Sequence, residues 1–188
     1  DVPPVLGSRS THLVSRVGGV GGRVLVAGDR IPAGTTDRVA NVAGRSRPPV
    51  VELPGGGARL RVMVGPEDDR FSESALAMLQ TARYEIMPQS NRMGYRLAGP
   101  RLSHREGTDM LSDGTPIGSV QVPASGEPIL LMADCQTTGG YPKIATVITA
   151  DLPVAGQLAP GDWIEFEVCD RQAAVAALIA QEQALSRR

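Results

Sequence analysis

A single short stretch, residues 134–143, brings together most of the side chains that could do chemistry. It reads Asp-Cys-Gln-Thr-Thr-Gly-Gly-Tyr-Pro-Lys and is flanked by the apolar runs 128–132 and 144–148. Two strands would hold such a loop rigidly, so that its side chains and backbone N–H groups face a ligand. Because buried polar groups need partners, this polar density indicates one wall of an active site rather than packing.

Nearly every side chain of this stretch is expected to contact a small polar ligand. Asp134 would orient Lys143 or an arginine through a charge-assisted hydrogen bond, and Lys143 would be a mobile cation. The other candidates offer donors, acceptors and a close backbone approach: Gln136, Thr137, Thr138, Gly139, Gly140 and Tyr141. A surface hairpin with ordinary turn chemistry is the alternative. Both histidines lie far away in sequence, which disfavours a nucleophilic triad and acyl-enzyme chemistry.

A second group of polar residues lies in a predicted strand near residues 90–97. Strand alternation would place Arg92 and Arg96 on one face, where two guanidiniums form a fork for a carboxylate or phosphate, and Asn91 on the other. Alternatively, each arginine pairs with an acidic residue of a neighbouring strand. Gln121 lies in the predicted strand 118–122 on the face opposite Val120 and Val122, where it either lines a pocket or is an exposed amide.

Composition and charge exclude several classes of protein. The formal net charge of −1 argues against non-specific nucleic-acid binding and against a polybasic membrane surface. No apolar run approaches the ~20 residues of a membrane-spanning helix, and no signal peptide is visible. Cys135 and Cys169 form no disulfide framework or metal spacing, so we expect small half-buried residues in a reducing cytoplasm and no structural metal.

The pattern of elements predicts a mainly β protein. The chain contains 22 glycines and 15 prolines but only 3% aromatic residues, which indicates short strands joined by tight turns. Seven strands are predicted, near residues 60–64, 84–87, 93–97, 118–122, 129–133, 143–149 and 163–168. Helices are predicted from Ser72 to about Thr81 and from Asp170 to about Leu185. The glycines of residues 18–22 predict a turn, since the Lys-Ser/Thr of a phosphate-binding loop is missing. One helix, a run of strands and a second helix favour a β-barrel closed by helices.

Several longer motifs resemble a known protein family. They are the segments 5–11, 18–22, 65–71 (Gly-Pro-Glu-Asp-Asp-Arg-Phe), 90–96 (Ser-Asn-Arg-Met-Gly-Tyr-Arg), 112–123 and 134–143. Together they resemble the allophanate hydrolase subunit 2 family, also called the biotin-dependent carboxyltransferase-like family. This family includes the C subunit of 5-oxoprolinase and the KipA protein. The resemblance extends over nearly the whole chain.

The resemblance implies a cyclophilin-like β-barrel with a few flanking helices. It also implies that family proteins carry roughly another hundred residues before the position that matches Asp1. Residues 1–50 are therefore expected to be the remnant of a first barrel lobe. Residues 51–188 would form the cyclophilin-like barrel domain, with a C-terminal helix over 170–186.

The resemblance also implies a function. The leading hypothesis is a subunit of a bacterial ATP-dependent 5-oxoprolinase, which converts 5-oxo-L-proline, ATP and water to L-glutamate, ADP and phosphate. It would work in the cytoplasm with a subunit-1 (KipI-like) homologue and a third subunit. Asp134, Lys143 and Arg92 would be catalytic, and the other polar residues named above would bind the small anionic substrate. ATP with Mg²⁺ is expected, at a subunit interface, because the chain has no Walker motif.

Two other functions stay open from the sequence. One is biotin-dependent carboxyl transfer of the urea amidolyase type, with biotin carried by another protein because no biotinyl Met-Lys-Met sequence is present. The other is a KipA-like regulatory protein that binds a partner and needs no intact polar site. A purely structural role would leave the polar stretch unexplained.

Overall fold

The computed structural model describes residues 1–34, 52 and 54–186. The chain divides into two compact units, Asp1–Arg47 and Pro48–Arg188, and each is described by itself. Within the described residues, no helix is both long and apolar enough to span a membrane.

The described part of the first unit contains one small hairpin. Strand β1 (Thr11–His12) pairs antiparallel with β2 (Val17–Gly18). Gly18 and Gly22 have φ values of 76° and 65°, in the left-handed region that favours glycine. A Cβ on Gly22 would lie 2.0 Å from the carbonyl oxygen of Arg16. The glycine cluster therefore allows a tight turn, and the predicted turn is confirmed.

The described residues of the second unit form nine strands, seven of which close into a barrel. In chain order the strands are β3 (Gly57–Val64), β4 (Arg83–Ile86), β5 (Gly94–Ala98), β6 (Asp113–Gly114), β7 (Ser119–Gln121), β8 (Ile129–Leu131), β9 (Thr138–Gly139), β10 (Lys143–Val147) and β11 (Trp163–Val168). The closed order is β10-β3-β11-β4-β5-β8-β7, while β6 and β9 pair with each other outside it. The predicted mainly β barrel with flanking helices is thus confirmed.

Alternating apolar residues explain why these strands close around one core. Leu60 and Val62 of β3 are fully buried, while Arg59 beside them is exposed. Tyr84 and Ile86 repeat this alternation on β4. β3 and β11 pair in parallel, whereas the other barrel pairings are antiparallel.

Three α-helices of the described residues flank the barrel: α1 (Glu73–Thr81), α2 (Leu152–Ala155) and α3 (Arg171–Ser186). The Ser72 hydroxyl accepts the N–H of Ala75 at 3.1 Å, and the Asp170 carboxylate accepts the N–H of Ala173 at 2.7 Å. Both predicted helices and their caps are confirmed, while the short α2 was not predicted.

The apolar residues of α3 are half-buried at most. Val175 and Ile179 are 48% and 52% exposed, and no residue of this fully described helix is buried. The helix therefore contacts the barrel through half-buried residues only.

The polar stretch is not a hairpin loop, which was the alternative that the sequence left open. β7 lies between β8 and β10 and is antiparallel to both, so β8 and β10 run in the same direction. A connection between them must return along the barrel instead of making a tight turn. We call residues 133–142 the crossing segment. It is held by β9 and by the Val122 N–H, which donates to the carbonyl of Pro142 at 3.0 Å.

Candidate functional site

Lys143 lies at the start of β10, opposite Gln121 of β7. Its side chain is only 3% exposed, and its Nζ lies 3.1 Å from Oε1 of Glu67 and 3.7 Å from Oδ2 of Asp113. The sequence contains 19 basic residues, and Lys143 is the only lysine among them. A buried lysine in a chain that otherwise uses arginine indicates a specific task, because lysine is almost never buried unless it is paired.

Glu67 reaches Lys143 because β3 ends in a close contact with β10. The Gly65 N–H donates to the carbonyl of Ile144 at 2.9 Å. A Cβ on Gly65 would lie 2.0 Å from the carbonyl oxygen of Lys143, so only glycine allows this approach. Glu67 follows two residues later, and its Oε2 accepts the backbone N–H of Lys143 at 3.0 Å. One carboxylate thus binds both the main chain and the ammonium of the same residue.

The charges of Lys143, Glu67 and Asp113, which we call the lysine cluster, do not balance. Two carboxylates face one ammonium, so the cluster has a formal charge of −1. Despite its ion pairs, Nζ makes no directed hydrogen bond to any described residue. The Asp113 carboxylate is 66% exposed, whereas that of Glu67 is 12% exposed. Lys143 is therefore not the mobile cation that the sequence suggested; it is buried and ion-paired.

A group of amides lies beside the lysine cluster. Gln121 is only 2% exposed. Its Nε2 donates to the carbonyl of Tyr141 at 3.4 Å, and its Oε1 accepts from Nε2 of Gln136 at 3.4 Å. Both distances lie at the long end of the hydrogen-bond range, so these contacts are weak. We call Gln121, Gln136 and the Tyr141 carbonyl the amide cluster.

Gly139 and Thr115 complete the wall around the amide cluster. A Cβ on Gly139 would lie 2.7 Å from Nε2 of Gln121, so the glycine leaves room for that amide. The Thr115 hydroxyl donates to the carbonyl of Gln136 at 2.5 Å, and its N–H donates to the carbonyl of Thr137 at 3.0 Å. These bonds fix the crossing segment over β7.

Several predicted residues of the crossing segment occupy its outer side. Thr137 and Thr138 are exposed and Gly140 is half-buried, while the Tyr141 side chain is 47% exposed. Cys135 is half-buried, and its thiol lies 3.9 Å from the carbonyl of Thr115. Gln136 of the amide cluster is exposed as well, so the crossing segment presents these side chains mainly to solvent.

Arg92 and Asp134 form a separate ion pair. The Arg92 Nε and Nη2 donate to the two carboxylate oxygens of Asp134 at 2.6 and 2.9 Å. This hydrogen bonding, with the charge of Asp134, raises the pKa of the Arg92 guanidinium. The Arg92 side chain is 78% exposed. The sequence allowed either Lys143 or an arginine as the partner of Asp134. In the structure Asp134 binds Arg92, and Lys143 pairs with Glu67 instead.

The predicted fork of two guanidiniums is wrong, because Arg92 precedes β5 and only Arg96 lies in it. Arg96 is exposed, and within the described residues its guanidinium makes no ion pair. The side-chain oxygen of Asn91 accepts the N–H of Met93 at 2.8 Å, which closes the turn before β5. The sequence-based alternative, an arginine paired with an acidic residue of a neighbouring strand, is correct for Arg92 except that Asp134 lies beyond the end of β8.

The structure therefore brings together only part of the predicted site. Gln121, Gln136, Gly139, Tyr141 and Lys143 converge around the two clusters. The Arg92–Asp134 pair lies at the other end of β8, since Gly94 is opposite Leu131 whereas Gln121 is opposite Ile129.

Sequence reasoning missed three residues of the site, namely Glu67, Asp113 and Thr115. For Glu67 two signals were available in the sequence. One is that Lys143 is the only lysine of the chain, and the other is the Gly-Pro-Glu motif at residues 65–67, which directly follows a predicted strand.

The lysine cluster does not suit the phosphates of a nucleotide. Lys143, the cation best placed to contact a phosphate, is already paired with Glu67 and faces Asp113. No group of three or more His, Cys, Asp or Glu residues in the described part is placed to hold a metal ion. We therefore derive no chemical step through ATP or Mg²⁺ on these residues.

Similarity to known proteins extends over most of the chain. The family described as "Carboxyltransferase domain, subdomain A and B" matches residues 1–168. The chain is 42% identical to the C subunit of 5-oxoprolinase from Escherichia coli over 183 residues, which are 97% of this chain and 57% of that protein. It is 38% identical to the corresponding Haemophilus influenzae protein over 92% of this chain and 54% of that protein. The chain thus spans about half the length of these curated relatives.

A solved structure shows the same fold. The crystal structure of the K. lactis urea amidolyase superimposes with a TM-score of 0.75 and 25% sequence identity. The match covers 99% of this chain and 12% of the urea amidolyase chain. These findings confirm the resemblance that the sequence motifs indicated.

Proposed function

The chain belongs to the carboxyltransferase domain family, subdomains A and B, and we propose that it is part of the C subunit of an ATP-dependent 5-oxoprolinase. In this reaction 5-oxo-L-proline, ATP and water give L-glutamate, ADP and phosphate. The observation that carries the proposal is the 42% identity to the E. coli 5-oxoprolinase protein over 97% of this chain. Identity to the urea amidolyase of Saccharomyces cerevisiae is lower, at 31% over 88% of this chain.

The proposed site is formed by the lysine cluster and the amide cluster. Ring opening of a lactam places negative charge on the carbonyl oxygen, and a preorganised donor at that oxygen accelerates such reactions. The Lys143 ammonium, held by Glu67, supplies a charged donor in a buried place. Gln121 and Gln136 supply amide donors and acceptors next to it.

The partner subunits complete the enzyme in this proposal. Because the lysine cluster does not suit a phosphate, ATP and Mg²⁺ would be bound by a subunit-1 (KipI-like) homologue, by a third subunit or at an interface with them. The exposed Arg96 remains the candidate in this chain for the carboxylate of the substrate. Cytoplasmic location belongs to the same proposal, since ATP is its co-substrate.

The proposal is tested with the complex of the full-length gene product and its partner subunits. We expect glutamate to form from 5-oxoproline only when ATP is present and only when all subunits are mixed. Glutamate would be measured together with ADP, in a ratio of about one to one as the reaction requires. A complex that assembles but forms no glutamate with ATP contradicts the proposal.

Biotin-dependent carboxyl transfer is the second candidate, favoured by the superposition on the urea amidolyase over 99% of the chain. The ureido ring of biotin is neutral and cyclic, as a lactam is, so the same two clusters would suit it. Carboxylation of urea that depends on an added biotin-carrier protein, without glutamate formation from 5-oxoproline, would favour this candidate.

A further inference from the structure

We infer that Glu67 and Asp113 hold Lys143 as a charged donor for a neutral carbonyl oxygen, so that the two clusters bind the amide ring of a substrate and exclude its anionic group. The inference rests on the proposed function for the identity of the substrate. It does not require ATP or any particular partner, because every contact in it comes from this chain.

The position of the only lysine is the first reason. The Lys143 side chain is 3% exposed. The Glu67 carboxylate contacts Lys143 twice, at its backbone N–H and at its ammonium. A purely structural ion pair would be expected at the surface, where neither partner loses its water. Glu67 touches the reacting groups only through Lys143, so it is a positioning residue.

The unused hydrogen-bonding capacity of the ammonium is the second reason. An ammonium has three N–H donors, and the carboxylates of Glu67 and Asp113, at 3.1 and 3.7 Å from Nζ, can accept at most two of them among the described residues. Buried donors are nearly always satisfied, and one that is not calls for an explanation such as a bound ligand. A carbonyl oxygen of a ligand is the simplest group that would accept such a donor.

The sign of the charge is the third reason. Glu67 and Asp113 together outweigh the ammonium by one negative charge. A carboxylate or phosphate entering the cluster would gain one attraction and meet two repulsions, and the repulsion from the largely buried Glu67 is the less screened of the two. A neutral amide would meet no such repulsion. The anionic ligand that the sequence suggested for Lys143 is therefore disfavoured at this position.

The neighbouring amide cluster is the fourth reason. Gln121 is almost completely buried, but its two hydrogen bonds are both 3.4 Å long. A lactam has one N–H and one C=O, and Gln121 or Gln136 can pair with the first while Lys143 donates to the second. Solvent reaches the cluster on the side of Asp113, whose carboxylate is 66% exposed.

The test measures acylation of Lys143 by an amine-specific reagent in the assembled complex, followed by mass spectrometry of the peptide that contains it. The probes are 2-pyrrolidinone, a neutral cyclic amide, and the anions glutarate and inorganic phosphate. We expect saturating 2-pyrrolidinone to slow acylation at least about fivefold, whereas both anions leave the rate within about a factor of two.

Three variants sharpen this test. Glu67→Gln is expected to raise the acylation rate at least about fivefold and to remove the protection by 2-pyrrolidinone. Asp113→Asn, at an exposed carboxylate, is expected to let phosphate protect Lys143 at least about threefold. Glu127→Gln is the matched control, since Glu127 is an exposed partner of Arg101, and it should behave as the wild type.

The outcomes separate the inference from the proposed function. If only the anions protect Lys143, or if no probe protects it in an active complex, the inference is overturned and the proposed function stands. If 2-pyrrolidinone protects Lys143 but the complex forms no glutamate, the inference stands and the proposed function fails. Asp113→Asn also serves as the test should Glu67→Gln fail to fold.

Discussion

At the scale of single residues, the pairing of Lys143 with Glu67 bears on stability and on the proposed chemistry. The pair is largely buried, with side-chain exposures of 3% and 12%. Removing one partner of a buried pair leaves an uncompensated charge, which is more destabilising than removing both. This difference allows folding and catalysis to be separated.

We predict that Lys143→Met lowers the free energy of unfolding by about 3 kcal/mol, because it leaves the Glu67 carboxylate buried without its partner. The double variant Lys143→Met with Glu67→Gln should recover most of that loss. Urea unfolding followed by circular dichroism measures both values. A double variant as unstable as the single one would show that the two charges are not coupled.

Tyr84 gives a second prediction at this scale. Its side chain is fully buried, and burial raises the pKa of its phenol from 10.0 to about 12. Between those two pH values the unfolded chain loses the phenol proton while the folded chain keeps it. Unfolding is therefore favoured increasingly as the pH rises from about 10 to about 12, by roughly 2 kcal/mol in all.

Tyr84→Phe should remove this alkaline loss of stability. Because the Tyr84 hydroxyl has no hydrogen-bond partner among the described residues, the substitution should also leave stability at neutral pH unchanged or raise it by about 1 kcal/mol. Tyr141→Phe, which removes a half-exposed phenol, is the control. If the free energy of unfolding of Tyr84→Phe falls with rising alkaline pH as steeply as that of the wild type, the prediction is wrong.

What the sequence could predict at this scale depended on distance along the chain. Lys143, Gln136, Gly139 and Tyr141 were found together because they are neighbours in one polar stretch. Glu67 lies 76 positions before Lys143, and no local pattern links the two. The same limit left the partner of Asp134 open between Lys143 and an arginine, since the arginine that binds it lies 42 positions earlier.

At the scale of elements, the crossing segment brings the amide cluster together. Local patterns predicted β8 and β10 near their observed bounds and left a surface hairpin between them open as the alternative to an active-site wall. The hairpin is excluded because β7 lies between the two strands. Which strands lie next to each other depends on how the whole barrel closes, and this cannot be predicted from a local sequence pattern.

Gly65 is the element-scale feature that most directly positions Glu67. We predict that Gly65→Ala lowers the free energy of unfolding by roughly 2–3 kcal/mol, since its Cβ would meet the Lys143 carbonyl and push β3 away from β10. It should also raise the acylation rate of Lys143 because Glu67 moves with the turn.

Gly107→Ala is the matched control for that substitution. A Cβ at Gly107 would meet nothing within 4 Å, so its effect should stay within about 0.5 kcal/mol. Thermal and urea unfolding of both variants provide the comparison. Equal stabilities for the two variants would mean that the contact between Gly65 and Lys143 does not constrain the turn.

The cap of α1 gives a further prediction. Ser72→Ala should destabilise the protein by about 1 kcal/mol, because the N–H of Ala75 loses its acceptor while Ala75 and Leu79 remain in the core. Ser112→Ala, at an exposed serine whose hydroxyl makes no hydrogen bond to another described residue, is the control. Urea unfolding that finds the two variants equally stable would contradict this role of Ser72.

At the scale of the whole molecule, the barrel joins distant segments into one fold. β3 pairs in parallel with β11, which lies much later in the chain, and antiparallel with β10. The number of barrel strands and the mainly β class followed from local patterns. The cyclophilin-like form of the barrel was expected only from the motifs and their family resemblance. Local sequence patterns do not show which distant strands pair with each other.

The central claim is that the lysine cluster acts on the substrate, and the most direct test makes that cluster neutral without leaving a lone charge. The double variant Lys143→Met with Glu67→Gln is assayed in the complete complex for ATP-dependent formation of glutamate from 5-oxoproline, beside Glu127→Gln as control. We predict at least a ~100-fold loss for the folded double variant, as for loss of a donor at a developing oxyanion, and unchanged activity for the control. A folded double variant that keeps the activity of the control would contradict the claim.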